Sequence, residues 1–119
     1  FVDDTTKIKE ICACDVYMML THFDLMPISI MEAMSASKPV LTTRVGGIPE
    51  MVEDGLNGFL FEVGETEEVV TKLNILIKQR DVGKAMGKKG REKVDTMFNI
   101  STVTALHHRI ADELIARPV

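Results

Sequence analysis

The chain is poor in the residues that staple small folds. Its only cysteines are Cys12 and Cys14, too few and too close together for a disulfide framework or a zinc site, and both are expected to be small buried apolar residues. Histidine is almost as scarce. His22, His107 and His108 form no ligand cluster in the sequence, and the adjacent pair is expected on an exposed helix, where neighbouring residues point about 100° apart. No apolar run approaches the roughly 20 residues that cross a bilayer, and the opening F-V-D-D has no signal-peptide pattern, so a cytoplasmic location is expected. A basic excess is missing too: 18 acidic against 14 basic residues leave a net charge of −4, which disfavours nonspecific nucleic-acid binding. The local group Lys84, Lys88, Lys89, Arg91 and Lys93 reads as a solvated helix face. There is no internal repeat and no low-complexity linker. With 45% hydrophobic and 27% charged residues, the 119 positions have the balance of one globular domain, able to bury a core but too short for a large enzyme.

Apolar periodicity then orders the chain. Residues 5–13 carry Ile8, Ile11 and Cys12 at helical spacing, with Thr5 or Asp4 as the expected cap. Residues 16–20 (V-Y-M-M-L) are a continuous apolar run of strand length, and continuous runs predict strands covered on both faces. A helix over 27–37 follows, with Met31 and Met34 in the core, then a strand over 39–43. Gly46 and Gly47 make a turn, Pro49 opens a short helix to 52, Asp54 and Gly55 close it, and G-F-L-F at 58–61 is a third strand. From Thr66 the run T-E-E-V-V-T-K-L-N-I-L-I-K-Q predicts a helix with Thr66 as cap and acids in its first turn. Two further helices are expected at about 81–96 and 100–116, the last capped by Asn99. Strand and helix alternate as in a parallel α/β sheet with right-handed crossovers, where ligands bind at the carboxyl ends of the strands.

One stretch carries chemistry. D-L-M-P-I-S-I-M-E places Asp24 and Glu32 with seven residues between them, and Glu32 is the only charged side chain over 25–37. An isolated carboxylate needs a partner. Pro27 suits the first turn of a helix, where its missing N–H costs nothing, so the amides of about Ile28 to Ile30 are expected to point toward the loop with the positive end of the helix dipole behind them. Such an end holds phosphate, with Glu32 beside it to accept from hydroxyls and Asp24 approaching from the loop. Amides bracketed by two hydroxyl-seeking carboxylates describe a nucleotide-sugar site. Plainer readings stand beside this one. Glu32 pairs with Lys38 or Arg44, Gly46 and Gly47 form only a tight strand-to-helix turn, Glu50 serves its own helix end, and His22 is a solvated loop residue.

Three ordered motifs carry a family resemblance: L-T-H-F-D-L-M-P-I-S-I-M-E-A-M-S-A-S-K-P-V at 20–40, V-G-G-I-P-E at 45–50 and D-G-L-N-G-F-L at 54–60. With the tail A-M-G-K-K-G-R-E-K-V and Phe98, they resemble the donor-binding domain of retaining GT-B glycosyltransferases of the GT4 type. The resemblance implies a Rossmann-like parallel sheet with flanking helices, the second half of a C-terminal donor-binding domain over 1–119, divided at about 64 into an α/β core and C-terminal helices. It implies sugar transfer from a UDP- or GDP-linked donor to an acceptor sugar or lipid-linked glycan, as in polysaccharide biosynthesis, with no metal and no cofactor. Glu32 is implied to hold the ribose hydroxyls and Asp24 the transferred hexose. Leu25, Met26, Pro27, Ile28 and Ser29, with Gly46 and Gly47, are implied to line the diphosphate and sugar. Asp24 stands where the family has glutamate, Leu25 where it has glycine, and Ser37 where a helix-ending glycine is usual, a position that often needs positive φ. A segment lacking the family's N-terminal domain and its diphosphate-neutralising arginine and lysine is expected to be inactive alone. Membrane contact is expected only through that N-terminal domain, and an uncovered sheet edge is expected to self-associate. A binding or scaffold module without catalysis, or a nucleotide-sugar epimerase of related fold, are the alternatives.

Overall fold

The computed structural model describes residues 2–116, so the ends of the expected 1–119 domain, residue 1 and residues 117–119, lie outside the described residues. The elements run α1 (Asp4–Ala13), β1 (Tyr17–Met19), α2 (Ile28–Ser35), β2 (Val40–Thr43), α3 (Ile48–Met51), β3 (Gly58–Phe61), α4 (Thr66–Lys78), α5 (Arg80–Met97) and α6 (Ile100–Ile115). The strands form one parallel sheet in the order β1-β2-β3, with Tyr17 opposite Val40 and Val40 opposite Gly58. Every residue of β2 and β3 is buried without alternation, Thr42 and Thr43 included, as strands covered on both faces require; the run at 16–20 departs from that expectation, with Met18 and Leu20 exposed beside the edge strand β1. Val40 and Leu60 face a cluster with Ile11, Ile30, Met34, Ile48 and Met51, whereas Leu41, Phe59 and Phe61 face Val69, Leu76 and Met86. The fold is the expected Rossmann-like α/β arrangement.

The helix ends differ in detail from the sequence expectations. Asp3, rather than Thr5 or Asp4, caps α1, its carboxylate accepting from the Thr6 N–H at 2.7 Å and the Thr6 hydroxyl at 3.1 Å. Pro27 sits outside α2 as its N-cap, with an extended ψ of 122°, and its carbonyl accepts from the Ile30 N–H at 3.2 Å. Thr66 is not the cap of α4 but its first residue. Glu65 occupies the cap position and turns its carboxylate back to the Glu62 N–H at 2.8 Å. Asn99 caps α6 through the Ser101 N–H as expected. The cysteines are corrected as well: α1 buries only Ile11, leaving Ile8 and Cys12 exposed, while Cys14 is half-buried and its thiol donates to the Ile11 carbonyl at 3.1 Å. Burial holds the Cys14 thiol above its ordinary pKa. Lys93 departs from the solvated basic face, lying mostly covered and paired with Glu53 at 3.0 Å.

Helix α5 locks α2 in place. Its buried Gly83, Gly87 and Gly90 open one side of the helix, and a Cβ on Gly87 would stand 1.9 Å from the Ser37 carbonyl oxygen. Ser37 itself has φ +58°, the one positive φ outside glycine among the described residues, as expected of the position where the family ends this helix with glycine. Arg91 completes the junction by donating to the Ser35 carbonyl at 2.6 Å, satisfying one of the carbonyls that a helix end leaves free.

Candidate donor site at the carboxyl end of β1

The loop between β1 and α2 emerges at the carboxyl ends of the strands, the edge where parallel sheets place ligands. Its second residue past β1, Thr21, is tied to β2. The Thr21 N–H donates to the Thr43 hydroxyl at 3.2 Å, and that hydroxyl donates back to the Thr21 carbonyl. The Thr21 hydroxyl in turn donates to the Phe23 carbonyl at 3.0 Å. Asp24 is half-buried, and His22 is exposed.

Gly46 and Gly47 support this loop from below. The Gly47 N–H donates to the Leu25 carbonyl at 2.6 Å, and a Cβ on Gly47 would lie 2.4 Å from that same oxygen. Gly46 has φ +54°, and a Cβ there would fall 1.8 Å from the Asp24 carbonyl oxygen. Both glycines therefore let two backbones touch, one of them also adopting a conformation that side chains resist. The turn geometry positions Asp24 and Leu25, and of the two amides only that of Gly46 has no acceptor among the described residues.

Further donors are left open. The N–H groups of Asp24, Leu25, Met26, Ile28 and Ser29 find no acceptor among the described residues, whereas the Ile30 N–H is taken by Pro27. Backbone donors so grouped, with a helix dipole behind two of them, are suited to an anion. The Ser29 hydroxyl instead turns to the Met19 sulfur at 3.6 Å. Pro27 is buried, but the side chains of Phe23 (75% exposed), Leu25 (70%) and Ile28 (68%), with Met26, form an apolar surface around the open amides.

Glu32 lies one helical turn beyond Ile28, 31% exposed. Its partner is neither Lys38 nor Arg44. Arg44 pairs with Glu62 at 3.2 Å, and Lys38 lies beside Asp15 and Pro39 at the amino ends of the strands. Instead, Glu32 Oε1 is 3.0 Å from Lys7 Nζ on α1, and the same ammonium reaches Asp4 Oδ1 at 3.3 Å. The Glu32 carboxylate, followed by that of Asp4, raises the Lys7 pKa above its ordinary value. Lys7 escapes a reading of the sequence because nothing in its neighbours announces that α1 will pack on α2. A groove of about 460 Å³ runs beside the pair, lined by Ile8, Cys12, Met31, Glu32, Val94 and Phe98. Among the described residues, no three His, Cys, Asp or Glu side chains gather as a metal ion would require, and no helix is long and apolar enough to cross a membrane.

The chain is similar in sequence and in fold to known proteins. The chain is 37% identical over 84 residues to the sulfoquinovosyl transferase SQD2 of Arabidopsis thaliana, covering 68% of this chain and 16% of that protein. It is 31% identical over 111 residues to N-acetyl-alpha-D-glucosaminyl L-malate synthase of Bacillus anthracis, covering 92% of this chain and 29% of that one. Among solved structures, Anabaena HepE in complex with UDP-glucose superposes with a TM-score of 0.76 at 27% identity, over 92% of this chain and 29% of its own. The chain thus spans less than a third of the length of these relatives. The model of the family described as glycosyl transferases group 1 matches residues 1–93, and with the fold shared at a TM-score of 0.76, this chain belongs to that family of GT-B type glycosyltransferases.

Proposed function

We propose that this chain forms the donor-binding part of a retaining, GT4-type glycosyltransferase that moves a sugar from a nucleoside diphosphate to an acceptor hydroxyl. The carrying observation is the group of unpaired amides at Asp24, Leu25, Met26, Ile28 and Ser29 between the two carboxylates. The names of relatives point the same way: two are a sulfoquinovosyl transferase and a glucosaminyl malate synthase, and one solved relative was crystallised with UDP-glucose.

In this reading the open amides and the α2 dipole hold the diphosphate, and Gly46 adds its own N–H. Glu32 accepts from the ribose hydroxyls, and Asp24 accepts from hydroxyls of the transferred hexose. The acceptor oxygen forms a bond to the anomeric carbon as the bond to the diphosphate oxygen breaks; that oxygen leaves with the electron pair and takes up the proton released by the acceptor hydroxyl. Fixed amide dipoles aimed at the developing negative charge lower the barrier without reorganising. Gly47 acts one step removed, by fixing the Leu25 carbonyl. The acceptor is a sugar or lipid-linked glycan, the role is in polysaccharide biosynthesis and the compartment is the cytoplasm. Residues 1–119 act within a longer chain and do not transfer sugar alone.

The test is nucleotide binding by the full-length protein. Replacing Glu32 by alanine removes charge-assisted hydrogen bonds and is expected to weaken UDP or GDP binding by about 10-fold or more by calorimetric titration. An unchanged affinity would remove the ribose assignment. A second reading, a sugar-nucleotide-binding module without turnover, draws on Leu25, whose exposed side chain stands at the site where the family has glycine. Donor binding with no transfer in the full-length protein would favour it.

A further inference from the structure

The charges on α1 meet the donor site at one point, the pair of Lys7 with Glu32. Lys7 is bonded to Glu32 at 3.0 Å and to Asp4 at 3.3 Å, with side chains only 38% and 31% exposed for the Lys7–Glu32 pair. The ion pair is closest at Oε1, and among the described residues Lys7 is the one group paired with the Glu32 carboxylate. Lone pairs of that carboxylate are left for an incoming hydroxyl. We infer that Lys7 is a positioning residue: it holds the Glu32 carboxylate in the rotamer that meets a ribose and offsets its charge beside an arriving diphosphate.

This inference rests on the ribose assignment of Glu32. Its support is geometric. Lys7 lies in the first turn of α1, where its own N–H donates to the Asp3 carbonyl at 3.0 Å, and Asp3 caps the helix through Thr6. The ammonium is therefore anchored at its base by the helix start and at its tip by Asp4. On the other side Glu32 belongs to α2, whose Ala33 and Met34 are fully buried. Glu32 stands on a packed helix and Lys7 on a helix seated through Ile11, so the pair is formed before any ligand arrives. A half-exposed ion pair contributes little to stability; fixing an acceptor in advance removes ordering cost at the moment of binding.

Comparing UDP with 2′,3′-dideoxy-UDP isolates this effect, because the two carry equal charge and differ only in the hydroxyls; GDP and its dideoxy form replace them if UDP does not bind. In the full-length protein the wild type is expected to prefer the ribonucleotide by about 10-fold or more, and Glu32→Ala to lose that preference. Lys7→Met is expected to cut the preference by at least about 3-fold, and Lys7→Arg to restore most of it, since the charge and the hydrogen bond to Oε1 return. If Glu32→Ala loses the preference while Lys7→Met keeps or increases it, the positioning role is overturned and the ribose assignment stands. If Glu32→Ala keeps it, both fall. A Lys7→Met protein that is merely less well folded would bind both nucleotides more weakly with an unaltered ratio, which also counts against the inference.

Discussion

Glycine at position 46 is required by a contact, not by a preference. With φ +54° and the Asp24 carbonyl 1.8 Å from where a Cβ would stand, Gly46→Ala meets both a backbone penalty of about 1–2 kcal/mol and a clash with another backbone segment. We expect a loss of at least about 2 kcal/mol in denaturant unfolding, together with weaker nucleotide binding, because the loop that carries Asp24 must lift away. The motif V-G-G-I-P-E announced a turn here, and the turn is present. That its glycines serve the loop after β1 was not legible, since the two segments lie more than twenty positions apart and meet only in the fold.

At the scale of the element, α2 is held at its far end by α5. Exchanging a helical glycine for alanine ordinarily stabilises a helix by about 0.5–1 kcal/mol. At Gly87 the sign should reverse: the added methyl would sit 1.9 Å from the Ser37 carbonyl, and forcing α5 outward should cost about 1–3 kcal/mol. Thermal unfolding of Gly87→Ala beside the exposed Lys88→Ala reads the difference directly. Helix α1 makes a pH-dependent statement. Hydrogen bonds from the Thr6 N–H and then the Thr6 hydroxyl hold the Asp3 carboxyl below its ordinary value of 3.8. Its contribution is therefore complete above that value and is lost as pH falls through the depressed one. Lys7 has the opposite sign: its pKa is raised above 10.5, so its contribution is complete below 10.5 and disappears as pH rises through the raised value. Acid unfolding of Asp3→Asn should show a shallower loss of stability below about pH 4 than the parent chain.

For the whole molecule, the long dimension comes from α6. The described residues extend 59 × 31 × 31 Å, and α6 buries none of its residues, leaving Ile100, Leu106, Ile110 and Leu114 exposed. The sheet is likewise open along β1, where Met18 and the following Leu20 are exposed. An unpaired parallel edge with apolar side chains is a template for another strand. Residues 1–119 on their own should therefore sediment with a concentration-dependent average mass that falls when Met18 is replaced by lysine. A single monomeric species at every concentration would contradict this.

The sequence by itself determined the order of strands and helices, the glycine turns, the proline at the start of α2 and the family, because each depends on short-range apolar runs, on φ preferences and on motifs that are contiguous in the chain. It also marked Asp24 and Glu32 as neighbours of one helix start. Only the tertiary structure decided what Glu32 bonds to, which amides remain open, why Gly87 cannot carry a side chain and why Cys12 is exposed. Those outcomes depend on which surfaces pack together, and an ion pair such as Lys7 with Glu32 exists only once α1 has come to rest on α2.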